Sequence, residues 1–223
     1  MNAPDHENWS EIDATDRSRR FLDLMSSRRT VRRFSDREVP EDVIRNVVAT
    51  AGTSPSGANK QPWRFVIVSD PAIKREIRVA AEREERDFYE QRANQAWLED
   101  LRPLGTDAEK PFIEEAPWLI VVFKLMKDDA SNGRSDQVYY VNESVGIAVG
   151  ILLAAAHQAG LATLTHTPSP MSFLCEILDR PKHERPFLLI PMGYALESYV
   201  PPKLERKPLK QIMILNRNTP RDH

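Results

Sequence analysis

The sequence predicts an α+β or α/β fold, a sheet flanked by helices, within one domain of a 223-residue chain. Three observations carry this expectation. Apolar runs of strand length alternate with segments of helical periodicity. Several of those runs lie too far apart in the chain to be joined as hairpins. Hydrophobic residues make up 41% and charged residues 29%, a globular balance with enough apolar material for a sizeable core.

The elements follow in chain order. Residues 1–19 are polar and are expected to form a flexible arm ahead of a single domain over 20–223. Phe21, Leu22 and Met25 recur at helical spacing, so a short helix should end near Ser26 and Ser27. A basic stretch, Arg28-Arg29-Thr30-Val31-Arg32-Arg33-Phe34, comes next. Pro40-Glu41-Asp42 opens a helix with Val43, Ile44, Val47 and Val48 on one side and acidic residues at its positive end. Thr53 to Asn59 is turn chemistry. Residues 64–69 (RFVIVS) read as a buried strand. Asp70-Pro71 then caps a long, charged helix expected to reach about Asn94. Residues 95–116, punctuated by Pro103, Gly105 and Pro111, are expected to be irregular. Residues 118–123 are a second strand, and 138–159 a helix with a nearly all-round apolar middle, suited to a core or an interface. Residues 161–165 and 187–192 complete the strands, with a short helix over 172–178 between them. The tail from Glu197, with Pro201, Pro202 and Pro208, should run extended over a surface.

Composition excludes several classes. The 31 Lys and Arg against 33 Asp and Glu leave a net charge of −2, which disfavours a strongly basic nucleic-acid binder. One cysteine, Cys175, excludes an internal disulfide framework and any multi-cysteine zinc site. Five scattered histidines give no metal-ligand spacing, so no metal is expected. No signal-peptide core is visible, and the longest apolar stretches, 118–123 and 147–156, fall far short of the roughly 20 residues of a spanning helix. A cytoplasmic protein is expected.

Four constellations could carry chemistry. Arg28, Arg29 and Arg32 place three guanidiniums beside a helix end, suited to a phosphate or simply to a solvated basic turn. There is neither a GxGxxG nor a GxxxxGK[ST] motif, so a phosphate here would be held by arginines and not by a glycine cradle. Pro55 to Trp63, with Ser56, Gly57, Ala58 and Asn59, either approaches a flat ligand or merely joins a helix to a strand. Thr165-His166-Thr167-Pro168 follows a strand, where hydroxyls can face a ligand or cap the next helix. Glu85 and Tyr89 share a helix face at i and i+4. With Lys110 they would complement an amino-acid zwitterion, Glu85 taking the ammonium and the other two the carboxylate. The plain alternative is a charged surface helix.

Together these segments resemble the nitroreductase superfamily of FMN enzymes, over about Arg28 to Met213. Arg28 to Phe34 looks like its phosphate motif, and Thr53 to Trp63 like its loop over the flavin. Within the superfamily, Glu85, Tyr89 and Lys110 resemble the zwitterion clamp of the iodotyrosine deiodinase subfamily. The resemblance implies an α+β fold with a central mixed sheet and a domain-swapped homodimer. It implies FMN contacts from Arg28, Arg29, Thr30, Val31, Arg32, Ser56, Thr165, His166, Thr167 and Arg206. It also implies that Thr167 is the catalytic residue, placed to hydrogen-bond flavin N5. Ala58, Glu85, Tyr89 and Lys110 bind a halotyrosine, under a lid over about 95–112. His166 stands where a threonine is expected, and Asn59 where a histidine is. The activity implied is reductive dehalogenation, with electrons from NAD(P)H or a separate reductase. A general NAD(P)H-dependent nitro or quinone reductase, or a flavin-binding protein without turnover, would share the flavin residues but not the clamp.

Overall fold

The computed structural model describes residues 11–128 and 135–216; residues 1–10 of the expected arm and 217–223 of the tail lie outside it. The first helix, α1, already spans Glu11–Ser27, so the part of the expected arm that is described is helical. It is followed by α2 (Glu41–Gly52), β1 (Trp63–Val68) and α3 (Pro71–Asp87). Next come α4 (Gln95–Leu101), α5 (Phe112–Glu115), β2 (Trp118–Leu125) and α6 (Val141–Gln158). The chain finishes with β3 (Ala162–Thr163), α7 (Phe173–Ile177), β4 (Glu184–Gly193) and α8 (Leu209–Ile212). The expected cap of α3 forms: Asp70 Oδ1 accepts from Ala72 N at 2.7 Å and Ile73 N at 3.2 Å.

The four strands lie in the order β1-β2-β4-β3. All three ladders are antiparallel, which corrects the expected mixed sheet; the parallel pairing is confined to the isolated bridge Thr30↔Thr163. The physical reason is burial on both faces. Along β2, Leu119, Val121 and Phe123 join one core while Ile120 and Val122 join the other. An antiparallel sheet with one wet face would alternate, whereas a strand covered on both sides reads as a continuous apolar run whichever way its neighbours point.

The two cores are built by different helices. On one face α3, α5 and α7 contribute Ile77, Ile113 and Leu174; on the other α2 and α6 contribute Ile44, Val47, Val149 and Leu152. The edge strand β1 and β4 flank β2, with a register shift between Val122 and Phe123. Buried charge is tied down: Glu184 takes Arg180 at 2.7 Å and Arg64 at 3.1 Å. Burial opposes ionisation of that carboxyl, but the Arg180 and Arg64 hydrogen bonds prevail and hold it below its ordinary range.

Two expectations between 71 and 116 are refined. The α-helix stops at Asp87 and continues as a π-helical stretch over Phe88–Arg92. Residues 95–116 are not irregular throughout but carry α4, a 3₁₀ turn at Arg102–Leu104 and α5. Pro103, Gly105 and Pro111 punctuate these short helices without abolishing them, because each sits at a helix end or in a joint between helices.

Candidate active site

A cleft of ≈ 660 Å³ opens where the end of α3, the 95–112 segment and the chain after β3 meet. It is lined by seven of the residues singled out in the sequence: Arg32, Glu85, Tyr89, Lys110, Thr165, His166 and Thr167. Residues 80 positions apart are thus brought into one concavity, and the elements that position them can be traced one at a time.

Glu85 lies in the last turn of α3. The π-helical stretch, closed by Ala93 N bonding to Phe88 O at 2.8 Å, carries Tyr89 beyond it. Lys110 is the largest fully buried side chain, 1% exposed, and its head group makes an ion pair with Glu85 Oε2 at 3.0 Å. Its Nζ also donates to Asp107 O. Its backbone N donates to Glu82 Oε1 at 2.8 Å, and Arg78 holds that same oxygen at 2.7 Å. Glu82 therefore locks the root of the 95–112 segment to α3. Burial works against the Glu82 carboxylate, but the Arg78 hydrogen bond and the Lys110 N–H leave its pKa below the ordinary value. Burial pushes the Tyr89 phenol up, so it is neutral at physiological pH and able to donate.

After β3 the backbone stays extended. His166 N and O exchange 2.9 Å hydrogen bonds with Leu189 in an isolated antiparallel bridge. Successive side chains of an extended chain point to opposite sides. Thr165 and Thr167 are accordingly exposed on one side, while the His166 ring turns inward against the edge of Phe112, with centroids 5.4 Å apart. Burial, then Lys110 and Arg32, lower the His166 pKa to about 3, so the imidazole is neutral at pH 7. Its Nε2 is buried without a hydrogen-bond partner.

The arginine cluster forms beside this cleft. Arg206 returns from the tail to donate to Ser26 O at 2.9 Å and Arg28 O at 2.8 Å, while Arg29 donates to Ser26 O at 2.8 Å. Burial lowers the Arg28 pKa, and the positive charges of Arg206 and Arg29 lower it further. Among the described residues no carboxylate pairs with Arg28, Arg29 or Arg206. Guanidiniums crowded together without a counter-ion fit a phosphate dianion, and the exposed hydroxyls of Thr165 and Thr167 fit the polar edge of a flat ring. The residues present thus suit FMN.

Not every residue of the expected site reaches the cleft. Thr30 pairs with Thr163 at the isolated bridge, so it borders the chain leading into 165–167. The Val31 side chain is buried in the core, 7% exposed, and its N–H is spent on Thr163 O. Ser56 and Ala58 do not line the cleft. Ser56 Oγ accepts from Gln61 N at 2.9 Å, and Gly57 faces the Tyr139 carbonyl, where a Cβ would stand 3.0 Å away. Small size at Gly57 therefore lets this loop pack closely on Tyr139 and Tyr140, just ahead of α6. The same loop holds Ala58, Asn59 and Gln61 at positive φ (50°, 54° and 47°), a strained run of the kind that persists at functional sites at about 1–3 kcal/mol each.

Nothing in the sequence separately singles out Glu82, Arg92, Thr106 or Phe112. Arg92 lines the cleft and donates to Ser169 O at 2.7 Å, which ties the end of the π-helical stretch to the loop after Thr167. A signal existed for two of them: 82, 85, 89 and 92 recur at spacings of three and four, a stripe along one helix face. It was hidden because Glu84, Arg83 and Arg86 make the whole segment look like a solvated surface.

Residues 25–194 match the nitroreductase family. Among known proteins, the chain is 57% identical over 199 residues to iodotyrosine deiodinase of Haliscomenobacter hydrossis, covering 89% of this chain and 90% of that one. It is 44% identical over 210 residues to human iodotyrosine deiodinase 1, covering 94% of this chain and 73% of the relative. Among solved structures it resembles oxidised iodotyrosine deiodinase bound to FMN and 3-iodo-L-tyrosine. The TM-score there is 0.75 at 34% identity, with 89% of this chain and 99% of that one covered.

Proposed function

The chain belongs to the nitroreductase family, and on that premise we propose that it is an FMN-dependent oxidoreductase that reductively removes halide from halotyrosines. The observation that carries this reading is the buried Glu85–Lys110 pair at 3.0 Å, with Tyr89 beside it, in the same cleft as Arg32 and Thr165 to Thr167. A general reductase of flat substrates has no use for opposed charges in its substrate cleft. An α-amino acid, which carries both charges on one carbon, does.

When bound, FMN supplies the two electrons that, with a proton, replace the carbon–halogen bond by carbon–hydrogen as halide leaves. The chain does the rest. Arg28, Arg29 and Arg206 hold the phosphate, Arg32 borders the ring, and Thr30 and Thr165 add hydroxyl contacts. Thr167 donates its hydroxyl proton toward the ring's N5 and is the catalytic residue of this reading. Glu85 takes the substrate ammonium, while Tyr89 and Lys110 take its carboxylate. Seating those charges draws the 95–112 segment down as a lid and excludes water from the ring face. Electrons reach the flavin from NAD(P)H or a separate reductase.

A homodimer completes the site. Ser56 and Ala58 belong to a loop with positive-φ residues and do not line the chain's own cleft, which suits a loop that serves a second copy. In that assembly the partner's Ser56 and the partner's Ala58 reach this cleft. The exposed apolar residues Phe21, Leu22, Ile147, Leu209 and Ile212 support the same conclusion. Among the described residues no helix is long and apolar enough to cross a membrane.

Titrating the FMN-loaded protein with 3-iodotyrosine and with 2-iodophenol, while following flavin fluorescence, tests the reading. Iodotyrosine should bind at least about tenfold more tightly, the worth of one charged hydrogen bond. Equal affinity would replace the deiodinase reading by a general nitro or quinone reductase, and a reduced flavin that never turns over would leave a flavin-binding protein.

A further inference from the structure

The FMN contact expected of His166 does not account for its ring, which turns inward against Phe112 while Thr165 and Thr167 are exposed. The residue occupies the inward side of an extended segment whose outward side presents Thr165 and Thr167. Its ring is fixed by the Leu189 bridge behind it and by the edge of Phe112. Its Nε2 has no hydrogen-bond partner and stands 3.9 Å from Glu85 Oε1. That oxygen is the one Lys110 leaves over, since Lys110 pairs with Oε2. Two polar atoms with spare capacity thus face each other across the cleft, too far apart to bond directly.

The spacing suits one nitrogen that bridges both atoms from off the line between them. Two acceptors 3.9 Å apart can each stand about 2.8 Å from a common ammonium, subtending roughly 90° there, close to the tetrahedral spread of its N–H bonds. A neutral imidazole protonated on Nδ1 offers Nε2 as an acceptor. Burial beside Lys110 and Arg32 keeps the ring neutral, as described above. A protonated ring would repel the ammonium, and a threonine at this position would be too short to span the gap.

We infer that His166 is a substrate-binding residue, its Nε2 accepting a hydrogen bond from the same α-ammonium that Glu85 Oε1 receives. Glu85 provides the charge and His166 the direction, so the pair selects a free amino group on the substrate. This rests on the halotyrosine reading given above. The Thr165 and Thr167 side chains face the flavin, and the side chain between them faces the substrate's amino end.

The test uses FMN-loaded protein and two ligands: 3-iodotyrosine and its des-amino analogue, 3-(3-iodo-4-hydroxyphenyl)propionate. His166→Phe keeps a flat ring and removes the acceptor. It should weaken iodotyrosine by about tenfold to a hundredfold while shifting the des-amino acid less than about twofold. His166→Gln, whose amide oxygen can accept, should recover part of the loss. Should His166→Phe fail to retain FMN, His166→Leu takes its place with the same expectations. Unchanged iodotyrosine affinity, or equal weakening of both ligands, would overturn the inference and leave His166 a packing residue. Wild-type protein that bound iodotyrosine no better than its des-amino analogue or iodophenol would instead overturn the halotyrosine reading itself.

Discussion

Glu85 shows how one carboxylate can serve two masters. In the structure its Oε2 neutralises Lys110, 2% exposed at its side chain, and its Oε1 is left facing His166. Removing the partner of a buried charge typically costs about 3–5 kcal/mol, so Glu85→Ala would confound binding with folding. Glu85→Gln is the cleaner change: its amide oxygen still accepts from Lys110, while the charge and the acceptor facing the substrate ammonium are lost. Halotyrosine affinity should then weaken by roughly tenfold or more, with halophenol affinity nearly unchanged, as read by flavin fluorescence. At the other end of the site, Arg28→Ala removes one guanidinium from a cluster already strained by Arg206 and Arg29. FMN affinity should fall by about tenfold to a hundredfold, measured by release of fluorescent flavin on dilution.

Among the elements, the 95–112 segment is the lid of the proposed function, and its packing is uneven along its length. No residue of α4 is buried, and Trp97 is 52% exposed, held mainly by its ring against Phe88 with centroids 4.8 Å apart. The root is different: Lys110 is pinned by Glu82 through its backbone and by Glu85 through its side chain. A hinged flap with a fixed base and a lightly packed tip opens at small cost. A glutamate-specific protease should therefore cut after the exposed Glu99 readily in the free protein. Iodotyrosine should slow that cut, and iodophenol, which lacks the zwitterion, should not. Equal cutting in both cases would mean that the segment does not close on its ligand. Element α3 itself rests on a sound start. Asp70→Ala removes the carboxylate that accepts from Ala72 N and Ile73 N, at an expected cost of about 0.5–2 kcal/mol, visible as a lower Tm with FMN content unchanged.

For the whole molecule, exposed apolar side chains support the proposed homodimer. The outer side of α6 exposes Ile147 between Gly146 and Gly150, and the tail exposes Leu204, Leu209, Ile212, Ile214 and Leu215. Small residues beside an isoleucine allow another backbone to approach closely, and a tail of apolar side chains without a core of its own needs a surface to cover. Light scattering should return twice the 25.5 kDa of one chain, and a stable FMN-loaded monomer would contradict the completed site. Acid stability belongs to this scale too. The Glu184 carboxyl is held below its unfolded value, so its contribution is present above the ordinary carboxylate pKa of 4.5. It is lost as pH falls through the lowered folded value. Denaturant midpoints should drop below about pH 4.5, and Glu184→Gln should flatten that drop.

What the sequence determined by itself was local or chemically specific. Asp70-Pro71 marked the start of α3, because a capping carboxylate and a fixed φ act within three residues. Apolar runs marked every strand region, and the Glu85, Tyr89 and Lys110 set was legible from its resemblance and its helix spacing. The tertiary structure alone decided what depends on which surfaces meet. Strand direction was beyond the pattern, since β2 is covered on both faces and reads the same beside parallel or antiparallel neighbours. The role of Gly57 depended on the Tyr139 carbonyl, 82 residues away in the chain. Glu82 and His166 acquired meaning only when folding set one under the Lys110 backbone and the other 3.9 Å from Glu85. A sequence records which groups a chain carries. Whether a charge is solvated, paired or left facing a second acceptor is settled by packing between distant segments, which no local periodicity encodes.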